Sequence, residues 1–245
     1  MQIIPAIDIR NGNCVRLAQG KIDQETIYSK DPVFMAKLWQ AKGADRLHVV
    51  DLDGAFTGNS KNIDVIKKIR SAVDMVIETG GGIRDMDTIG RYINIGIDKI
   101  ILGTAAVYNP ALVRQAYETY RDKIIIGIDT SKDKAAIAGW KEITSVSYKE
   151  LLDKMYKIGI REFIYTEISK DGMMQGPYIE GVNKITAYKD DIKIIVSGGI
   201  SNISDIKEVM NLKKKNIIGI IIGKALYAEQ IKLEEAVKLV KDYAG

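Results

Sequence analysis

The chain has 245 residues, 46% of them hydrophobic, and no Pro/Gly/Ser-rich linker or block of like charge divides it, so one domain spanning 1–245 is expected. The N-terminus "MQIIPAIDIR" lacks the basic stretch and apolar run of a leader, and no segment approaches the roughly 18 apolar residues of a membrane span, which points to a cytoplasmic protein without membrane contacts. A single cysteine, Cys14, excludes an internal disulfide and a cysteine metal cluster, and a net charge of +4 carried by scattered lysines argues against nucleic-acid binding while suiting a small anionic ligand.

Short β-branched runs recur along the chain: "QIIPAID" (2–8), "RLHVVD" (46–51), "DMVIET" (74–79), "KIILG" (99–103), "KIIIGID" (123–129), "EFIYTE" (162–167), "KIIVSG" (193–198) and "IIGIIIG" (217–223). Between most of them lie segments charged on one face, such as "PVFMAKLWQAKGA", "NIDVIKKIRSA", "PALVRQAYETY" and "ISDIKEVMNL". Strands apolar almost throughout are what a parallel sheet buried on both faces requires. Eight of them alternating with helices predict an α/β fold, a (β/α)8 TIM barrel, with an open doubly wound sheet as the alternative. Pro5 misfits inside the first strand, where the missing N–H usually implies an edge or a bulge.

The two halves of the chain, roughly 1–120 and 121–245, repeat one another. "IIPAID" falls on "IIIGID", matching Asp8 to Asp129; Asp53-Gly54 falls on Asp171-Gly172; "GGIRDMDTI" falls on "GGISNISDI"; and Gly103 falls on Gly223. The chain reads as two similar half-barrels. A glycine pair after a buried strand lets the backbone approach a ligand, and its N–H groups, with those opening the next helix, form an anion cradle. "GGGIR" and "GTAA" follow strands three and four, and "SGGIS" and "GKAL" follow strands seven and eight, the usual phosphate position in a barrel. Two cradles facing each other across the barrel mouth are expected. A bulky residue at Gly82 or Gly199 should then chiefly weaken binding.

Asp8 and Asp129, at the ends of strands one and five, stand between the cradles, where carboxylates can act as general acid and base. His48, the sole histidine, lies within a strand and reads as a packed or hydrogen-bonded core residue. Trp140 in "AGWKE" is either a half-exposed aromatic or a surface for a planar ring.

In order and spacing, "IPAIDIRNGNCVRLAQG", "LHVVDLDGAFTG", "GGGIRDMDTI", "ILGTAAVYNPALV", "GIDTSKDKAAIAGW", "YTEISKDGMMQGP" and "SGGISNISDI" resemble the phosphoribosylformimino aminoimidazole carboxamide ribotide isomerases of histidine biosynthesis, over nearly the whole chain. Glu167, where aspartate is more usual, and Lys224, where arginine is common, depart from the pattern. The resemblance implies an Amadori rearrangement, aminoaldose to aminoketose, on a small molecule with a phosphate at each end. It places catalysis on Asp8 and Asp129, with Thr166 and Asp171 in support, Arg16 and Gly20 on the first loop, and Trp140 against the imidazole. One cradle would draw on Gly82, Arg84, Gly103 and Thr104, the other on Ser197, Gly198, Gly199, Gly223 and Lys224. The resemblance implies no metal or organic cofactor, and the protein is expected to work as a monomer. The sister cyclase of that pathway, an isomerase that also accepts a single-phosphate anthranilate, and a non-catalytic phosphometabolite-binding barrel remain as alternatives.

Overall fold

In the computed structural model, which describes residues 1–131, 134–140 and 142–243, each of the eight apolar runs is a strand. In chain order the strands are β1 (Gln2–Arg10), β2 (Asn13–Ala18), β3 (Lys21–Ser29), β4 (Arg46–Asp51), β5 (Val76–Gly80), β6 (Lys99–Leu102), β7 (Ile124–Ser131), β8 (Lys134–Ile137), β9 (Glu142–Ser147), β10 (Glu162–Glu167), β11 (Lys193–Ser197) and β12 (Ile217–Ile222). Parallel ladders run β1-β4-β5-β6-β7 and β10-β11-β12-β1, and the β7–β10 ladder closes the ring. The result is a (β/α)8 barrel, not an open sheet.

Helices cover each strand-to-strand crossing, and local chemistry starts them. Asp31 accepts the Phe34 N–H at 2.9 Å ahead of Pro32–Ala41, and Ser147 with Glu150 forms a capping box for Tyr148–Ile158. Short extra helices, Thr104–Tyr108 and Lys224–Tyr227, follow β6 and β12 directly. Among the described residues no helix is long and apolar enough to cross a membrane.

Pro5 sits at neither an edge nor a bulge. A closed barrel has no edge, and Pro5 is the last residue of β1 paired with β12, opposite Ile222, while pairing with β4 begins at Ala6. The changeover between neighbours is a place where a missing donor interrupts little.

Two antiparallel hairpins were not visible as apolar runs. β2 and β3 fold back on β1, and β8 and β9 fold back on β7. β3 and β9 are largely exposed, so pairing and not burial makes them strands, and no apolar signal marks them. Cys14 is fully buried in β2, as a small apolar side chain would be.

Most of the core lies between barrel and helices, while Ile4, Ala6, Ile125, Ile164, Ile195 and Ile221 fill the barrel interior. Near the strand starts the interior turns ionic. Arg46 donates through Nε to Glu78 at 2.6 Å and through Nη2 to Glu162 at 2.6 Å, and Lys99 donates to the other Glu162 oxygen at 3.1 Å. Two cations and two carboxylates make a neutral cluster, and Arg46 holds both carboxylates. Arg46→Met is expected to leave them short of counter-charge and to cost roughly 3 kcal/mol or more, read from urea unfolding; a loss under about 1 kcal/mol would show the cluster to be dispensable.

Candidate active site

The C-terminal ends of the barrel strands open into a cavity of about 250 Å³. Asp8 near the end of β1, Arg16 in β2, Gly20 between β2 and β3, Gly82 and Arg84 after β5, and Gly103 and Thr104 after β6 all line it. So do Asp129 in β7, Trp140 between β8 and β9, Thr166 in β10, Asp171 beyond it, Ser197 ending β11, Gly198 and Gly199 following, and Gly223 and Lys224 after β12. Every residue expected to take part in catalysis or in a cradle therefore lines the same cavity. Residues the sequence did not single out as contacts also face it, including His48, Phe56 and Met174. Phe56 lies within a quoted motif, but nothing in its spacing marks it as pointing inward.

Three carboxylates share the cavity in different surroundings. Asp8 is ion-paired with Arg16, Nη1 to Oδ2 at 2.7 Å, and Arg16 also donates to the Ala6 carbonyl at 2.8 Å. Burial works against the Arg16 charge, but Asp8 with further neighbours outweighs it and holds the guanidinium firmly protonated. Asp129 accepts the Trp140 indole N–H at 2.8 Å. Burial raises its pKa above the usual carboxylate value, and hydrogen bonds from Trp140 and Thr166 oppose the rise. Asp171 is pushed up to about 6, first by burial and then by the charges of Asp8 and Asp129, with Arg16 pulling the other way. The site thus holds one carboxylate salt-bridged and two biased toward the protonated form, the separation that acid and base chemistry in one site requires.

The glycine clusters stand opposite one another, because β5 and β6 lie four places around the ring from β11 and β12. Gly103 and Gly223 adopt nearly the same conformation, φ −104° and −108°, as the residues preceding the two short helices. The expectation for Gly82 and Gly199 needs correcting. Both have positive φ, 73° and 86°, and a Cβ on Gly82 would lie 2.5 Å from the Gly54 carbonyl oxygen, while one on Gly199 would run into the Gly176 carbonyl. Substitution there would displace backbone, so a binding defect could not be separated from a folding defect. Gly103 is the more open probe: its φ is negative, though its ψ of −86° lies somewhat beyond the helical range that L residues favour, and a Cβ would meet nothing nearer than the Gly127 oxygen at 3.9 Å. Gly103→Ala should raise KM roughly tenfold with the melting temperature lowered by no more than a few degrees, checked by steady-state kinetics and calorimetry; an unchanged KM would remove this glycine from the cradle.

Loops close the mouth against each other. A Cβ on Gly20 would fall 2.7 Å from the Trp140 ring, so the first loop lies directly on that indole. Gln19 donates from its backbone to the Asp171 carbonyl and from its amide to the Ser169 carbonyl, and Lys224 donates to the Gly172 carbonyl at 3.1 Å. Trp140 itself has φ +68°, a left-handed backbone rarely adopted by a large side chain, consistent with a position dictated by its bond to Asp129.

The profile of the family described as "Histidine biosynthesis protein" matches residues 2–232. The chain belongs to that family. Among curated relatives it is 46% identical over 241 residues to a protein of Syntrophus aciditrophicus, covering 98% of this chain and 99% of the relative. It is 44% identical over 239 residues to one of Pelotomaculum thermopropionicum, covering 98% and 92%, and 43% identical over 244 residues to one of Syntrophotalea carbinolica, covering both chains fully. All three relatives are named 1-(5-phosphoribosyl)-5-((5-phosphoribosylamino)methylideneamino) imidazole-4-carboxamide isomerase.

In this histidine-biosynthesis protein the raised Asp171 pKa has a consequence for stability. A carboxyl whose folded pKa exceeds its unfolded value stabilises the fold relative to its ionised form only while protonated, so the penalty is absent below pH 3.8, grows up to about pH 6 and is constant above. Asp171→Asn should therefore raise the melting temperature by on the order of 5 °C at pH 7.5 and leave it unchanged at pH 3.5, by scanning calorimetry; equal shifts at both pH values would contradict the burial argument.

Proposed function

We propose that the chain is the isomerase its relatives are named for, and that Asp8 and Asp129 carry an Amadori rearrangement on a substrate anchored by a phosphate in each cradle. The observation that supports this reading is the arrangement of the mouth: two glycine clusters on opposite sides, with Asp8 and Asp129 on strands that are themselves opposite in the ring. A doubled half-barrel accounts for that symmetry, and the near-identical conformations of Gly103 and Gly223 support it.

The chemistry follows from the surroundings of each carboxyl. Asp129, biased toward its protonated form, donates a proton to the ring oxygen of the aminoaldose. The bond from that oxygen to C1 breaks, and the nitrogen lone pair forms the carbon–nitrogen double bond. The resulting iminium acidifies C2, and Asp8 removes its proton. The electron pair of that C–H bond forms the C1–C2 double bond of an enolamine. Return of a proton to C1 and loss of one from the C2 hydroxyl give the aminoketose, with no net gain or loss of atoms. No electron leaves the substrate, so acid and base suffice. Trp140 holds Asp129 in place and, released from it, offers a flat face to the heterocycle. The sister cyclase is not favoured, since the relatives share the isomerase name over the full chain. A specific observation favours one variation: Asp171 is pushed up to about 6 and can serve as the acid in place of Asp129.

Asp8→Asn and Asp129→Asn should each reduce kcat at least about a hundredfold with KM changed far less, and kcat/KM of the unaltered protein should follow a bell in pH, measured with the aminoaldose bisphosphate. If Asp129→Asn turns over normally while Asp171→Asn does not, the acid is Asp171. Normal turnover in Asp8→Asn would end the assignment of the base.

A further inference from the structure

Asp8 is paired with Arg16, and Arg16 is itself a long side chain that reaches the pair from β2. Its Nη1 bonds Asp8 at 2.7 Å and its Nη2 bonds the Ala6 carbonyl at 2.8 Å, while its buried Nε–H has no partner among the described residues. Two such bonds leave a planar group free to tilt about the line joining its acceptors. What stands around the guanidinium therefore decides how it lies. On one side is Gly223, where a Cβ would run into the guanidinium. The other neighbour is Tyr227, at the far end of the short helix that Gly223 precedes.

Tyr227 is not among the residues lining the cavity, so any effect it has on the reaction passes through another side chain. Its hydroxyl lies 3.1 Å from the Ala6 carbonyl oxygen, the same atom that Arg16 Nη2 uses, and a carbonyl has two lone pairs for two such donors. The Arg16 Cζ is 5.7 Å from the centre of the Tyr227 ring. Enclosure raises the Tyr227 pKa well above the ordinary phenol value, against the pull of Arg16, so the hydroxyl stays protonated and donates. The ring is clamped: it packs at 4.9 Å on Tyr28 of β3 and meets buried Trp39 of the helix Pro32–Ala41 edge-on at 5.5 Å.

Phenylalanine would fill that space as well, so packing explains the ring and not the hydroxyl. Nor is the hydroxyl needed to satisfy the Ala6 carbonyl, which Arg16 already bonds. We infer that Tyr227 is a positioning residue for the isomerisation: it shares the Ala6 carbonyl with Arg16, stands beside the guanidinium, and so fixes the orientation in which Arg16 holds Asp8 toward C2 of the sugar. This rests on the isomerase reading with Asp8 as the base.

Tyr227→Phe keeps the ring and removes the hydroxyl. It should lower kcat roughly tenfold, the equivalent of about one hydrogen bond, with KM changed less than about twofold and the melting temperature nearly unchanged. With deuterium at C2 of the aminoaldose bisphosphate, the isotope effect on kcat should be at least as large in the variant as in the unaltered protein, because the step that slows is the one Asp8 performs. In an Arg16→Lys background, which keeps the charge and loses the planar fork, adding Tyr227→Phe should lower kcat by less than about twofold further. A Tyr227→Phe variant that melts lower but keeps kcat, one that changes KM alone, an isotope effect that shrinks, or an undiminished tenfold loss in the Arg16→Lys background would each overturn the proposal and leave the isomerase reading intact. No turnover of the aminoaldose by the unaltered protein would overturn both.

Discussion

The ladder between β7 and β10 makes the rest of the molecule possible. Without it the eight parallel strands would form an open sheet with two unpaired edges, and the strand ends would fan apart. Its register, Thr166 opposite Asp129 and Glu167 opposite Thr130, seats a hydroxyl beside one carboxyl and a buried glutamate beside another hydroxyl. Thr130 donates to Glu167 at 3.1 Å across that seam, and Glu167 also accepts from Ser169 at 2.8 Å, so the longer acidic side chain finds partners at the turn into the loop that bears Asp171. Closure of the barrel and placement of Asp129 are one event.

The mouth of the barrel is electrostatically uneasy. Asp8 and Asp171 both feel the Arg16 guanidinium, which is bonded to Asp8 and the Ala6 carbonyl, while buried Asp129 has only the Trp140 and Thr166 hydrogen bonds and the His48 charge acting against its raised pKa. A fold optimised for stability alone would not bury two more carboxyls there. The ionic cluster at the strand starts is the contrast. There cations and carboxylates balance, every carboxylate is bonded, and the arrangement is compatible with a tightly closed interior. His48 and Glu78 join the two regions, linking the balanced cluster to the unbalanced site above it.

Loops from three parts of the chain meet over that site. The β2–β3 hairpin reaches the loop after β10 through Gln19, and Gly20 lies on Trp140 from the β8–β9 hairpin. The β2–β3 loop touches both of the others, so its position bears on access to Asp8 and Asp129, and the Trp140 bond ties Asp129 to the β8–β9 loop.

The amino-acid sequence by itself determined the eight barrel strands and their order, with ends off by up to two residues, because strands buried on both faces must be apolar throughout and such runs stand out. It also brought Asp8, Asp129 and the glycine clusters into one place, since strand ends of a barrel converge whatever their separation along the chain. The hairpins escaped it, because β3 and β9 are extended by pairing with neighbours and not by burial. Only the tertiary structure decided that Pro5 sits harmlessly at a change of ladder partner, that Gly82 and Gly199 are hemmed in by the backbones of Gly54 and Gly176, and that His48 is both a core hydrogen-bond donor and a cavity wall. Each depends on a neighbour more than twenty residues away, and a local pattern contains no distance to such a neighbour. The same holds for the three carboxyls of the cavity: Asp8, Asp129 and Asp171 are alike as side chains, and burial and the reach of Arg16 and Trp140 are what set them apart.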